Sequence, residues 1–252
     1  MAGQGRLHRS GTAGMAKAIF RKFWFRGGKV RSALAGPYRG LRFDISPQIF
    51  NSRLYIFFRA YEPEVSDALR RLLAGNMIVF DVGAHVGVHA IYAARLLRKG
   101  GTVFAFEPWP ENFAGLTKNI ALNRKRTCPI EARQMAVGDH EGVSQMVEGP
   151  TDGTHHLEAN ATKSTHAVEL TTIDAEAERN GKAPDLILVD VEGAEMNVLE
   201  GALRVIERRH PALILEHHGS ANRRKLADWL VNRGYRVEDL GPRHILAESN
   251  RH

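Results

Sequence analysis

MIVFDVGAHVGVHAIYAARLL, residues 77–97, changes periodicity half-way along. MIVF (77–80) is a continuous apolar run that ends at Asp81, the pattern of a strand covered on both faces. IYAARLL (91–97) has helical spacing. The turn between them carries Gly83 and Gly87. Glycine is favoured where something approaches the backbone so closely that a Cβ would intrude. The expectation is a strand at 77–82, a helix at 87–98, and a ligand against the turn.

The same alternation continues along the chain. Strands are expected at 102–106, 130–134, 185–190 and 212–217, and helices at 110–123, 194–208 and 220–233. Pro110 suits a first helical turn, and Gly234 is a stop signal for the last helix. Short strands are expected at 143–148 and 167–172, and a final pair at 235–239 and 244–248. GPTDGTHHLEANATKSTH (149–166) is polar, rich in Gly and Thr, and reads as a mobile loop. Upstream, 62–75 reads as a helix stopping at Gly75, and 38–61 as short strands with a hairpin. Apolar strands alternating with amphipathic helices make this an α/β chain with a parallel sheet covered on both faces.

Composition narrows the field. The chain has 252 residues and a single cysteine, Cys128, which excludes an intrachain disulfide framework and fits a reducing, cytoplasmic setting. The net charge is +7, but residues 1–43 hold ten Lys/Arg and no acid, leaving 25 basic and 28 acidic residues after them. The basicity belongs to an N-terminal arm, which argues against a nucleic-acid footprint on the main body. Within that arm, residues 15–31 mix Lys17, Arg21, Lys22 and Arg26 with Phe20, Phe23, Trp24 and Phe25. Such a segment can lie on an anionic membrane, here the inner face, or pack on a partner or on the body itself. The division expected is a basic arm at 1–43, a hairpin and helix at 44–76 packed on the core, and the main domain at 77–252. Sequence does not indicate an oligomeric state.

The turn reads G-A-H-V-G and lacks the middle glycine of a dinucleotide fingerprint, with His85 standing where a pyrophosphate would press closest. Asp81 adds negative charge under the loop, which suits a ligand with a cationic end. Glu107 ends the next strand, where a carboxylate can accept from both hydroxyls of a ribose. S-adenosylmethionine has a cationic amino-acid end, a sulfonium and a ribose, and carries no phosphate.

DVGAHVG (81–87), FEPWPENFAGLTKNIALN (106–123) and DLILVDVEGAEMNVLEG (185–201), with AYEPEV (60–65) and PALILEHH (211–218), resemble the signatures of the FkbM methyltransferases. The resemblance implies a Rossmann-like, seven-stranded methyltransferase sheet. It implies use of S-adenosylmethionine, usually to O-methylate a sugar, glycan or secondary metabolite. By position it implies that Asp81, Gly83 and Gly87 line the methionine end and that Glu107 holds the ribose. It sets MAVGD (135–139), with Ala136 and Asp139, beside the adenine. The family often has Asn at position 85 and Lys at 188. His85 and Leu188 depart from it and put the acceptor class in question.

An alcohol acceptor needs a general base or a metal, because its own pKa lies far above neutral. Candidates at the ends of the later strands are Asp190, Glu216 and His217, with His218, Glu192 and Glu195 close by. Two carboxylates and a histidine at one mouth can hold a divalent cation or supply a base and an orienting acid. The helix-start role open to Glu192 and Glu195 tips the reading towards catalysis without a cation. Trp109 can flank the adenine or pack under the helix at 110–123. His155 and His156 suit a substrate lid better than a metal pair. No N/D-P-P-F/Y motif is present, which favours oxygen as the acceptor. The partner expected is a small molecule or glycan. An RNA methyltransferase, a non-catalytic interaction protein keeping the cofactor fold, and a nicotinamide dehydrogenase are weaker alternatives.

Overall fold

A computed structural model describes residues 30–44, 61–97, 100–148, 155–157 and 165–250. Most of the 15–31 segment, the 45–60 part of the expected hairpin, and 149–154 and 158–164 of the expected loop lie outside the described residues.

A short antiparallel pair, β1 (Val30–Ser32) and β2 (Arg42–Asp44), comes first. It is followed by α1 (Pro63–Leu72), β3 (Ile78–Val82), α2 (Val88–Leu97), β4 (Thr102–Phe106), α3 (Pro110–Asn123) and β5 (Ile130–Arg133). Then come β6 (Ala136–Val137), β7 (Gly142–Glu148), β8 (His155–Leu157), β9 (Thr165–Thr171) and α4 (Ile173–Asn180). The chain continues with β10 (Leu186–Val189), α5 (Glu195–Glu200), α6 (Leu203–Arg209) and β11 (Ala212–Glu216). It ends with α7 (Ser220–Val231), β12 (Tyr235–Asp239) and β13 (His244–Ser249).

Seven strands form one sheet in the order β12-β13-β11-β10-β3-β4-β5, with β13 antiparallel to both its neighbours. A smaller sheet has the order β6-β9-β7-β8. The expected α/β sheet is therefore present. Strand alternation divides the core by face. Val79 of β3 packs with Leu69, Ile91 and Leu116 on one side. Phe80 and Val82 pack with Phe106, Val198 and Leu230 on the other. Asp81 shares the Val79 face, among α1 and α2. No helix among the described residues is long and apolar enough to cross a membrane.

Four local expectations change. Residues 30–43 of the expected arm pack on the body: Ala33, Tyr38, Leu41 and Phe43 are buried in the main core, and the first hairpin starts at Val30. The expected helix at 194–208 is two helices broken at Gly201, where a Cβ would stand 1.9 Å from the carbonyl oxygen of Gly138. Part of the expected loop, His155–Leu157, is a strand paired with β7. Sequence reading also missed α4, although its cap signals are local. The Thr172 side chain accepts from Ala175 N–H, and Gly181 closes the helix at φ 61°.

Candidate active site

The carboxyl ends of β3, β4, β10 and β11 open on one cavity of about 190 Å³. β3 lies between β4 and β10, where strand order reverses and α/β sheets bind ligands.

At the glycine turn, the protein itself makes the close approach. Gly83 has φ 82°, and a Cβ there would meet the Asp190 carbonyl oxygen at 1.8 Å. Gly87 has φ 83°, and its Cβ would meet Leu116 Cδ1 at 2.5 Å. Gly83 still borders the cavity, but Gly87 is not in its wall. The two glycines clamp β3 against β10 and α3, and the cavity wall follows from that clamp.

His85, held at φ 50°, directs its backbone N–H to Glu107 Oε2 at 2.8 Å. Glu107 Oε1 accepts from Trp109 N–H at 2.9 Å and from Asn112 Nδ2 at 3.4 Å. Burial nevertheless raises the Glu107 carboxyl to about 7, above its ordinary 4.5, against the pull of these donors. Three donors thus fix a buried carboxylate whose remaining lone pairs are available to the cavity. Asp81 is buried in the same wall, and its Oδ2 has no hydrogen-bond partner. Burial raises its carboxyl to about 6, partly offset by the charge of His89.

Asp190 and Glu216 end adjacent parallel strands and both line the cavity. Asp190 is enclosed by protein yet open to the cavity. Burial first, then the hydrogen bond and charge of Glu216, push its carboxyl well above the ordinary range. Arg243 Nη1 lies 2.7 Å from Glu216 Oε1, and Arg243 Nη2 lies 3.1 Å from Glu62 Oε1. Glu62 Oε2 in turn meets His89 Nε2 at 2.8 Å. Burial works to raise Glu62, but His89, with His244 and Arg243, outweighs it and holds the carboxyl at about 2.

The structure brings Asp81, Gly83, Glu107, Ala136, Asp190 and Glu216 to the cavity. It does not bring Gly87, Asp139 or His217 there. Asp139 is turned towards Asn197 and His140. His217 follows Glu216 by one residue, so alternation turns it to the opposite side, where Arg223 and Asp239 act on it. His218 is the histidine near the acids. One ligand atom each from Asp190, Glu216 and His218 lie within 4.8 Å of one another. Those groups already have partners: Arg243 holds Glu216, and the His218 ring meets Glu192 at 3.1 Å and Glu195 at 3.2 Å. Glu195 also accepts from Gly193 N–H at 2.8 Å, beside the start of α5. Trp109 packs edge-on to His166 beside Ala136, Met146 and Leu170 and is not in the cavity wall.

Sequence reasoning passed over four cavity residues: Glu62, His89, Arg243 and His244. Glu62 lies inside the AYEPEV block, just before the proline that starts α1, and His89 lies in the first turn of α2, two residues after Gly87. Arg243 and His244 reach the cavity only because β13 inserts antiparallel beside β11; no local pattern marks them.

Residues 81–237 match the sequence pattern of the Methyltransferase FkbM domain. Hexuronic acid methyltransferase AglP of Haloferax volcanii is 27% identical over 160 residues, 61% of this chain and 62% of that protein. The 31-O-demethyl-FK506 methyltransferase FkbM of Streptomyces tacrolimicus is 33% identical over 161 residues, 49% of this chain and 58% of that protein. The chain thus spans 62% and 58% of the length of these curated relatives. Among solved structures, Methyltransferase FkbM from Methylobacillus flagellatus superposes with a TM-score of 0.53 at 18% identity, over 69% of this chain and 44% of that one. Precorrin-6y C5,15-methyltransferase from Geobacter metallireducens gives 0.50 at 16% identity, over 79% and 93%. Both share the fold. With the domain pattern running from the glycine turn through β12, the chain belongs to the FkbM methyltransferase family.

Proposed function

We propose that this protein is an S-adenosylmethionine-dependent methyltransferase that methylates a hydroxyl oxygen on a sugar, glycan or secondary metabolite. The observation that carries this reading is the pair of buried acids on one cavity wall. Asp81 has an oxygen without a partner, and Glu107 is pre-set by three N–H donors. An unpartnered buried carboxylate oxygen is costly unless a ligand completes it, and a ligand ammonium does so. A carboxylate fixed between strand ends suits vicinal ribose hydroxyls, and Met135, Ala136 and Val137 give an apolar wall for a base. When bound, S-adenosylmethionine supplies an electrophilic methyl group.

The chain's own residues then handle the acceptor proton. Asp190 and Glu216 face the cavity as a close carboxyl pair, and a carboxyl raised towards neutral is a better base for a hydroxyl than an ordinary one. Arg243 is paired with Glu216, leaving Asp190, whose carboxyl is raised, as the member of the pair that takes up a proton. His218 replaces His217 as the neighbouring histidine. The names of the hexuronic acid and FK506 methyltransferases support a hydroxylated small-molecule or glycan acceptor, and the family match supports transfer.

Calorimetric titration of the full chain with S-adenosylmethionine and with NAD tests the cofactor. Only the former is expected to bind, and Glu107→Gln is expected to weaken it at least ~tenfold, since a bond to a charged acceptor contributes about 1.5–3 kcal/mol. Unchanged affinity in a folded Glu107→Gln variant would remove the ribose assignment. Labelled methyl groups offered with a panel of sugars and uronic acids test the acceptor. An alkali-stable ether product is expected, and an ester or N-methyl product refutes transfer to a hydroxyl.

A further inference from the structure

α2 and α3 both run from the cavity side of the sheet to its opposite, amino-terminal edge. There they meet the β1–β2 hairpin. Asn123, at the end of α3, donates to Arg42 O at 2.7 Å and accepts from Arg42 N–H at 2.9 Å. The Arg95 guanidinium, in the last turn of α2, hydrogen-bonds Arg39 O. The turn after α3 is Arg124-Lys125-Arg126, all exposed. These contacts gather Arg39, Arg42, Arg95, Arg124, Lys125 and Arg126 on one face. Two acids bordering it are engaged, Asp44 by Lys118 and Glu131 by Arg133. The hairpin also presents Leu34, 51% exposed.

The chain enters this face at Val30 from residues 1–29, whose sequence holds seven Lys/Arg, no acid, and Phe20, Phe23, Trp24 and Phe25. Beyond residue 43 the chain carries more acids than bases.

We propose that this face docks on an anionic lipid bilayer, with the arginines and Lys125 on the headgroups and Leu34 entering between them. Exposed cations on the same face as an exposed apolar side chain of the hairpin match a charged headgroup layer over hydrocarbon. A nucleic acid would reward the cations equally but gives no return for burying Leu34. Docked this way, the cavity mouth points away from the bilayer and stays open.

The test uses the full chain and sedimentation with vesicles of phosphatidylcholine, with and without phosphatidylglycerol, at low salt. Each Lys or Arg near an anionic surface raises partitioning by about fivefold. Replacing Arg124, Lys125 and Arg126 together by Glu is expected to lower partitioning at least ~100-fold with the arm intact. Leu34→Ser, which changes no charge, is expected to lower it roughly tenfold. Vesicles without phosphatidylglycerol are expected to retain nothing. If the glutamate variant fails to fold, as judged by its melting temperature, the triple Gln variant gives the same reading. Three results overturn the proposal: wild-type chain that does not sediment, undiminished partitioning in the triple variant, or an unaffected Leu34→Ser variant displaced by a short RNA. The last identifies a polyanion surface instead.

Discussion

Replacing Gly83 by Ala tests whether the glycine turn serves as an internal clamp. The new Cβ would stand 1.8 Å from the Asp190 carbonyl oxygen, where contacts under 3.0 Å essentially never occur, so that carbonyl must retreat by more than ~1 Å. It belongs to the residue whose N–H donates to Val82 O at 3.0 Å, so the retreat loosens the join between β3 and β10. Three contributions add. The left-handed conformation at φ 82° costs about 1 kcal/mol for a residue with a Cβ. Overpacking costs about 1–3 kcal/mol, and a weakened hydrogen bond about 1 kcal/mol. The sum is roughly 3–5 kcal/mol, or about a 10 °C fall in melting temperature for a chain of this size. Gly181→Ala is the control: φ is 61°, nothing lies within 4 Å, and only the conformational cost applies. Thermal melting of both variants decides. A Gly83→Ala variant as stable as Gly181→Ala would refute the clamp and return the glycine to a role in ligand contact.

Three further predictions concern the acids and histidines. In the ligand-free protein, Asp81 rises from 3.8 to about 6 and Glu107 from 4.5 to about 7, so the folded state holds more protons than the unfolded. Their contribution is fully present below the ordinary values and is lost progressively as pH rises from about 4 through about 6 to 7. Urea denaturation is therefore expected to show a decline over that window, flattened in Asp81→Asn, while Glu62, held at about 2, costs stability only as pH falls below 4.5. Once an acceptor is in hand, Asp190→Asn is expected to cut turnover by ~10²–10⁴-fold at saturating cofactor. His217→Ala is expected to leave turnover near wild type, and His218→Ala to lower it; the reverse order of the two histidines would contradict the orientation of β11.

What the sequence revealed, and what it hid, follows the range of the interactions. β3, β4 and α3 were legible because a buried parallel strand is an uninterrupted apolar run and Pro110 opens a helix. Asp81 and Glu107 were legible because a strand end fixes where its last side chain sits, and both border the cavity. His217 was misjudged by one residue. LEHHG offers two adjacent histidines, and only the register of β11 against β10 and β13 decides which one turns towards the acids. Gly83 was recognised as a close approach, but a local pattern cannot say whether a ligand or the neighbouring strand approaches. Arg243 was invisible for a stronger reason. It sits in GPRH, an ordinary turn, and acquires its role only when β13 folds back beside β11 and sets it between Glu62 and Glu216, far apart in sequence.

That placement bears on how the cavity discriminates among ligands. Five buried or enclosed carboxyls face it: Glu62, Asp81, Glu107, Asp190 and Glu216. Arg243 and His89 compensate Glu62 and Glu216 directly, and Glu62 is correspondingly held low. Among the described residues Asp81, Glu107 and Asp190 have no cation in an ion pair, the charge of His89 only partly offsets the burial of Asp81, and all three are raised. The cavity thus carries an excess of acid that burial makes unfavourable. A cationic occupant relieves it by letting these groups ionise, whereas a phosphate-bearing occupant would add to it. On the proposed reading, loss of the sulfonium charge on methyl transfer removes part of that relief. The neutral sulfide product is then held less tightly than the cofactor by electrostatics alone. Binding of both to the full chain measures this directly: the difference should shrink in Asp190→Asn, and product affinity equal to that of the cofactor in the wild-type chain would show that the acid excess does not sense the sulfonium.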